Sequence, residues 1–159
     1  MKTVTLDIGT FEVLEELKRK QHESVSLARN LATGEKIILR SQEQEDQTYR
    51  LLSMIRHKNL VKVLCVQKDG EKLYVAEEYV QGRLLSDVVE KGLLPKGEVI
   101  RICLQLCDAL EALHAAGIVH RDVKPENIFL LDDGTVKLFD YDAARVYKFY
   151  ASEIGRAHV

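Results

Sequence analysis

The sequence predicts an α+β domain, on three observations. Short segments of alternating apolar residues bounded by turn signals occupy the chain up to residue 80. One polar, helix-favouring segment interrupts them. Past Gly82 the apolar spacing lengthens to steps of three and four, the period of a helix.

Strand signals come first. Phe11 to Leu17 and Ser24 to Arg29 alternate partially, and Glu35 to Arg40 follows the turn signal Ala32-Thr33-Gly34. A helix is expected from Gln42 to about Ile55, with Leu51, Leu52 and Ile55 at helical spacing. Leu60 to Val66 and Lys72 to Tyr79 flank Lys68-Asp69-Gly70, which reads as a hairpin. Beyond Gly82, Leu85 to Glu90 suggests a short helix. A longer one is expected from about Pro95 to Ala116, where Val99, Cys103, Leu106, Leu110 and Leu113 form an apolar stripe. Pro95 suits the first turn and Gly117 a C-terminal cap. Two short strands, Ile128 to Leu131 and Thr135 to Phe139, are joined by Asp132-Asp133-Gly134.

Composition narrows the function classes. The 159 residues are 46% hydrophobic and 30% charged, an ordinary globular balance, and the net charge is −2. Nothing basic enough for nucleic acid or an anionic membrane stands out, so neither is expected as a partner. No apolar run is long enough to span a bilayer, and MKTVTLDIGT has no signal-peptide core. Cys65, Cys103 and Cys107 lack a zinc spacing and read as reduced thiols of a cytoplasmic protein. Cys103 and Cys107, one helical turn apart, are expected to pack in the core. The cluster Glu43, Glu45 and Asp46 reads as a solvated face.

The most specific feature is His120-Arg121-Asp122-Val123-Lys124-Pro125-Glu126-Asn127, followed further on by Asp140-Tyr141-Asp142. With the long helix before it, the turn-linked strands after it and Glu78-Tyr79 upstream, this set resembles the protein kinase family. The resemblance covers roughly residues 11 to 148. It implies a two-lobed fold, with a small β-rich lobe and hinge over 11–80 and the start of a helical lobe over 81–150. Lys124-Pro125 looks like the serine/threonine branch, in a bacterial-looking form. Phosphoryl transfer needs a metal and cations around a migrating anion while the acceptor hydroxyl loses its proton. By resemblance, Asp122 orients that hydroxyl and accepts the proton, and Lys124 neutralises the phosphoryl group. Asn127 and Asp140 would hold Mg2+, a hard cation that prefers oxygen. Val25, Arg40, Glu78, Val80 and Phe129 would contact ATP, with Tyr79 and Val80 as hinge. The implied partner is a protein bearing Ser or Thr. The bland alternative is a loop whose His and Asp only satisfy backbone groups.

The nucleotide-holding part departs from the family pattern. With Val25 and Ala28 fixing the register, the three glycine positions of the phosphate loop are Lys18, Lys20 and Glu23. Glycines let backbone N–H groups approach phosphate, so a solvated hairpin is the favoured reading. Arg40 stands where a lysine is usual, Thr48 where the helix glutamate is usual, with Glu45 a weak substitute, and Glu77 at the normally uncharged gatekeeper. Arg40 pairing with Glu77 is one expectation; two side chains each in solvent is the other. Tyr141 replaces Phe, a mild change if its hydroxyl finds a partner. Asp142 replaces Gly, removing backbone freedom. These departures keep a second class open, a pseudokinase that binds nucleotide or scaffolds without turnover.

The resemblance stops before an activation segment and the further helices of the family, so a truncated, inactive fragment with a partly exposed long helix is expected. Residues 153–159 back-translate to a common sequencing adapter, which marks them as an expected non-native tail.

Overall fold

The computed structural model describes residues 1–147; the 153–159 tail lies outside them. The chain forms two compact units. One comprises Met1–Met54 and Lys62–Tyr79, the other Ile55–Val61 and the chain from Val80 onward.

The first unit is a six-stranded antiparallel sheet with one short helix. Its elements are β1 (Thr3–Leu6), β2 (Gly9–Lys20), β3 (Glu23–Asn30), β4 (Lys36–Gln42), α1 (Gln47–Leu52), β5 (Val63–Asp69) and β6 (Lys72–Glu78). The strand order is β1-β2-β3-β4-β6-β5. Directly opposed residues share a face in an antiparallel pair, so the register sorts the side chains. Ser26, Leu39 and Ala76 face one way, and Val25, Arg40 and Val75 the other. The first face builds the core, where Leu6, Phe11, Ala28, Ile37, Leu39 and Ala76 are buried and Val4, Val13 and Tyr74 pack on them. Burying a large apolar side chain contributes roughly 1.5–3 kcal/mol. β1, which the sequence did not announce, supplies Leu6 to this cluster. The Asp7 N–H donates to Gln67 Oε1 at 2.7 Å, tying the turn after one edge strand to the other edge strand, so the sheet curls.

Helix α1 is much shorter than the expected 42–55 span. Gln42 is still in β4, opposite Leu73. The Asp46 carboxylate accepts from the Thr48 N–H at 2.8 Å, an N-cap that starts the helix there. Helix-favouring composition upstream of a cap does not extend a helix through a paired strand.

The second unit holds β7 (Arg83–Leu84), α2 (Leu85–Glu90), α3 (Lys96–Ala115), β8 (Ile118–Val119), a 3-10 turn (Pro125–Asn127), β9 (Ile128–Leu130), β10 (Val136–Leu138) and β11 (Arg145–Val146). β9 pairs with β10 and β7, and β8 with β11. Gly117, at φ +81°, ends the long helix by donating to the His114 carbonyl, a left-handed position that suits glycine. The buried residues of α3 are Ile102, Ala109 and Leu113; of the expected stripe Leu113 is buried and Leu106 and Leu110 are half-buried. Val99 is exposed, and so are Cys103 and Cys107, which corrects their assignment to the core.

Residues 55–61 explain the shifted fifth strand. The Val61 N–H donates to the Leu138 carbonyl, and the Leu138 N–H to the Asn59 carbonyl. Leu60–Val61 therefore lie with β10, and β5 begins only at Val63. Asn59 is fully buried, its Nδ2 donating to Gln105 Oε1 and to the Val136 carbonyl, each at 2.9 Å. Gln105 Oε1 also accepts from the Val136 N–H, and its Nε2 donates to the Gly134 carbonyl, so α3 braces the β9–β10 turn. Among the described residues, no helix is long and apolar enough to cross a membrane.

Candidate active site

The loop 120–127 leaves β8 and re-enters the sheet through the 3-10 turn before β9, so both of its ends are fixed by strands. His120 is buried. Its Nδ1 accepts from the Asp122 N–H at 3.2 Å, which leaves Nε2 to donate to the Phe139 carbonyl at 2.8 Å. Those bonds require a neutral imidazole with its proton on Nε2. Burial pushes the His120 pKa below its ordinary value, against the opposing pull of that carbonyl and of Asp140 and Asp122. The Phe139 N–H donates to the Asn127 carbonyl, a second tie between the loop and the segment that carries Asp140.

Asn127, buried, donates from Nδ2 to both the backbone carbonyl and the Oδ2 of Asp122, each at 3.0 Å. Lys124 Nζ lies 3.5 Å from Asp122 Oδ1, and both side chains are well exposed at 47% and 37%. One oxygen of Asp122 is thus held by a buried amide and the other faces an exposed cation. Such an arrangement presents a fixed carboxylate to an incoming group. Because Nδ2 of Asn127 is committed to Asp122, its amide oxygen is the atom left for a hard cation.

Arg121 (φ +72°) and Asp140 (φ +60°) both adopt left-handed backbone without being glycine. Strain of this kind costs on the order of 1–3 kcal/mol and gathers at functional sites. Asp142 is outside that region, so the glycine it replaces is not needed for the observed path. Tyr141 is buried at 2% exposure; its hydroxyl donates to the Val61 carbonyl at 2.5 Å and its ring meets His120 edge-on at 5.9 Å. The hydroxyl has its partner, and the residue supplying it, Val61, gave no sign in the sequence.

The protein kinase domain family matches residues 11–153. The chain belongs to that family. It is 31% identical to the serine/threonine-protein kinase pkn2 of Myxococcus xanthus, over 86% of this chain and 19% of that protein. It is 31% identical to the CBL-interacting serine/threonine-protein kinase 24 of Arabidopsis thaliana, over 84% of this chain and 33% of the relative. A third relative, the carbon catabolite-derepressing protein kinase of Candida albicans, is 29% identical over 87% of this chain and 24% of its own length. The chain therefore spans about a fifth to a third of these relatives. The kinase α+β fold accounts for the curled sheet of the first unit and the helix and short strand pairs of the second.

The kinase residues expected to hold nucleotide divide between the units. Val25 and Arg40 are opposed across β3 and β4, on the sheet face away from the apolar core. Glu78, at the end of β6, accepts from the Lys62 N–H at 2.9 Å through Oε1. In the second unit Val80 is half-buried and Phe129 is stacked on Phe139 with ring centroids 4.2 Å apart. At the glycine-loop positions the hairpin is paired strand, with register shifts between Val13 and Glu15 and between Glu16 and Lys18. β2 runs to Lys20, Lys18 pairs with Val25, and Lys20 with Glu23. Its outer half is solvated, and Arg19 forks onto Glu16, lowering that carboxyl's pKa through the hydrogen bond.

Arg40 is the buried cation of the first unit. Its Nε lies 3.7 Å from Glu77 Oε1, and each side chain is only 7% exposed. The pairing expectation holds and the solvent alternative does not. Tyr49 of α1 sets its ring 5.7 Å from the guanidinium. Thr48 is buried beside it without a charge to offer. Glu45 is hydrogen-bonded to Arg50 on the surface. Tyr49 was missed from sequence, although an aromatic residue inside a polar stretch was the available signal.

Proposed function

We propose that the chain carries the catalytic loop of an ATP- and Mg2+-dependent protein serine/threonine kinase of the cytoplasm, transferring the γ-phosphoryl group of ATP to a Ser or Thr hydroxyl of a protein. The observation that carries this reading is the double hydrogen bond from Asn127 to Asp122. It holds the Asp122 carboxylate in place and leaves the Asn127 amide oxygen as the atom for a cation, which supports the roles of proton acceptor and metal ligand. Asp122 would align the acceptor hydroxyl and take its proton as the hydroxyl oxygen bonds to phosphorus. Lys124, 3.5 Å from Asp122 and exposed, has the reach to neutralise the moving phosphoryl group. Asn127 and Asp140 are the oxygen donors assigned to Mg2+, which when bound would screen the phosphate charge. Residues 11–80 would form the nucleotide-holding lobe and hinge, and 81–150 the start of the catalytic lobe, with Val25, Arg40, Glu78, Val80 and Phe129 as the ATP contacts. The test is phosphate transfer from Mg·ATP to a Ser/Thr substrate by the full-length protein. Asp122→Asn is expected to lower turnover about 10²–10⁴-fold with the fold intact by circular dichroism; unchanged turnover refutes the assignment.

The glycine-free hairpin and the buried Arg40 favour a second reading, a pseudokinase. Its signature is a Mg·ATP-dependent rise in melting temperature with no transfer to any substrate.

A further inference from the structure

The buried ion pair of the first unit has a different origin from the pair it replaces, and this assigns a role to Glu77. β4 and β6 are hydrogen-bonded neighbours, with Arg40 opposite Val75 and Ile38 opposite Glu77. The two charged side chains therefore leave the same sheet face from adjacent strands, one alternation apart. Their separation is set by backbone hydrogen bonds rather than by the packing of a helix. α1 sets the Tyr49 ring 5.7 Å from the guanidinium, and the carboxylate just before the helix, Glu45, is engaged with Arg50. At 3.7 Å the approach of Glu77 Oε1 to Arg40 Nε is an ion pair rather than a hydrogen bond, so the carboxylate acts on the guanidinium through charge at close range in a buried site.

We propose that Glu77 is a positioning residue that orients Arg40 toward the phosphates of a nucleotide from within the sheet, so that no carboxylate of α1 is needed for that function. The proposal rests on the nucleotide-binding reading above. It makes the gatekeeper position, normally a steric element, an electrostatic one.

The experiment compares Mg·ATP with adenosine by calorimetry on the full-length protein and its variants. Glu77→Gln is expected to weaken Mg·ATP about tenfold, the effect of one charge-assisted contact, and to leave adenosine affinity unchanged. Arg40→Met should weaken Mg·ATP at least as much, and the double variant no further. Glu77→Asp should recover part of the loss, and Glu45→Gln, just before α1, should match the parent protein. A fall in both ligands together in Glu77→Gln marks a merely structural role and overturns the proposal. So do additive losses in the double variant, or a selective loss of Mg·ATP in Glu45→Gln. Folded parent protein that binds adenosine but gains nothing from the phosphates also overturns it. Folded parent protein that binds neither ligand refutes the nucleotide reading itself, and the positioning role with it. If Glu77→Gln does not fold, the ligand contrast is read from Glu77→Asp, where equal losses for ATP and adenosine are the refuting result.

Discussion

The two units of the chain have treated the kinase pattern in opposite ways. In the second, Asp122, Lys124, Asn127 and Asp140 keep their identities, and loop and strands hold Asp122 and Asn127 in mutual contact. In the first, the glycine positions, the lysine and the helix glutamate are all replaced, and the replacements answer one another. Arg40 is matched by Glu77, and Lys18 and Lys20 sit in paired strand opposite Val25 and Glu23. A site whose chemistry depends on proton transfer tolerates few exchanges. A surface that supplies charge and backbone shape has several solutions, provided partners change together.

The largest expected effect tests whether the first unit is a closed compensation. Arg40→Met or Glu77→Leu alone should destabilise the protein by about 3–5 kcal/mol, because each leaves a buried charge without its counter-ion. Arg40→Met with Glu77→Leu should recover most of that loss in chemical denaturation. Two losses that simply add would show the residues to be independent, and the contrast between units would lose its physical basis. Next is the second unit's own anchor. Tyr141→Phe removes the hydroxyl that bonds the Val61 carbonyl and should cost about 1–3 kcal/mol; a variant as stable as the parent would show the bond to be incidental.

A smaller effect is set by pH. Folded His120 has a pKa below the ordinary 6.5, so between the two values the unfolded chain holds a proton that the folded chain does not. Its contribution is complete above 6.5, is lost as pH falls from there, and levels off below the folded value. Stability should therefore decline on acidification more steeply in the parent than in His120→Gln; parallel curves would contradict the buried neutral imidazole. The smallest effect lies in the hairpin, where Lys18→Gly and Lys20→Gly should each destabilise by roughly 0.5–1 kcal/mol through backbone entropy. If either instead strengthens Mg·ATP binding, the replaced glycines are what limits nucleotide affinity.

Much of this was readable from the chain. The α2 span of 85–90, the hairpin at Gly70 and the cap at Gly117 are local, each written in the residues that form it. The two-residue strands β7, β8 and β11 were not, because so short a strand is defined by its distant partner and not by its own composition. The same holds at the site. Asp122 and Asn127 are visible as a motif, whereas the anchoring of Tyr141 to Val61 joins residues with no sequence relation. The face of α3 was misplaced in part because Val99 and Cys103 are as apolar as the residues that pack, and only the neighbouring elements decide which side is covered.

The extra strand β1 has a consequence for anyone who shortens the protein. The family match begins at Phe11, so trimming to it deletes β1 together with Gly9 and Thr10, and leaves Phe11 and Glu12 without their partners Val4 and Thr3. Phe11 would lose its cover from Val4 and Leu6, and the backbone amides and carbonyls of β2 would become an open margin. Unprotected margins of that kind recruit strands from other molecules. A trimmed protein should therefore pass from a single species to concentration-dependent oligomers in light scattering, a failure of solubility with its cause outside the family match.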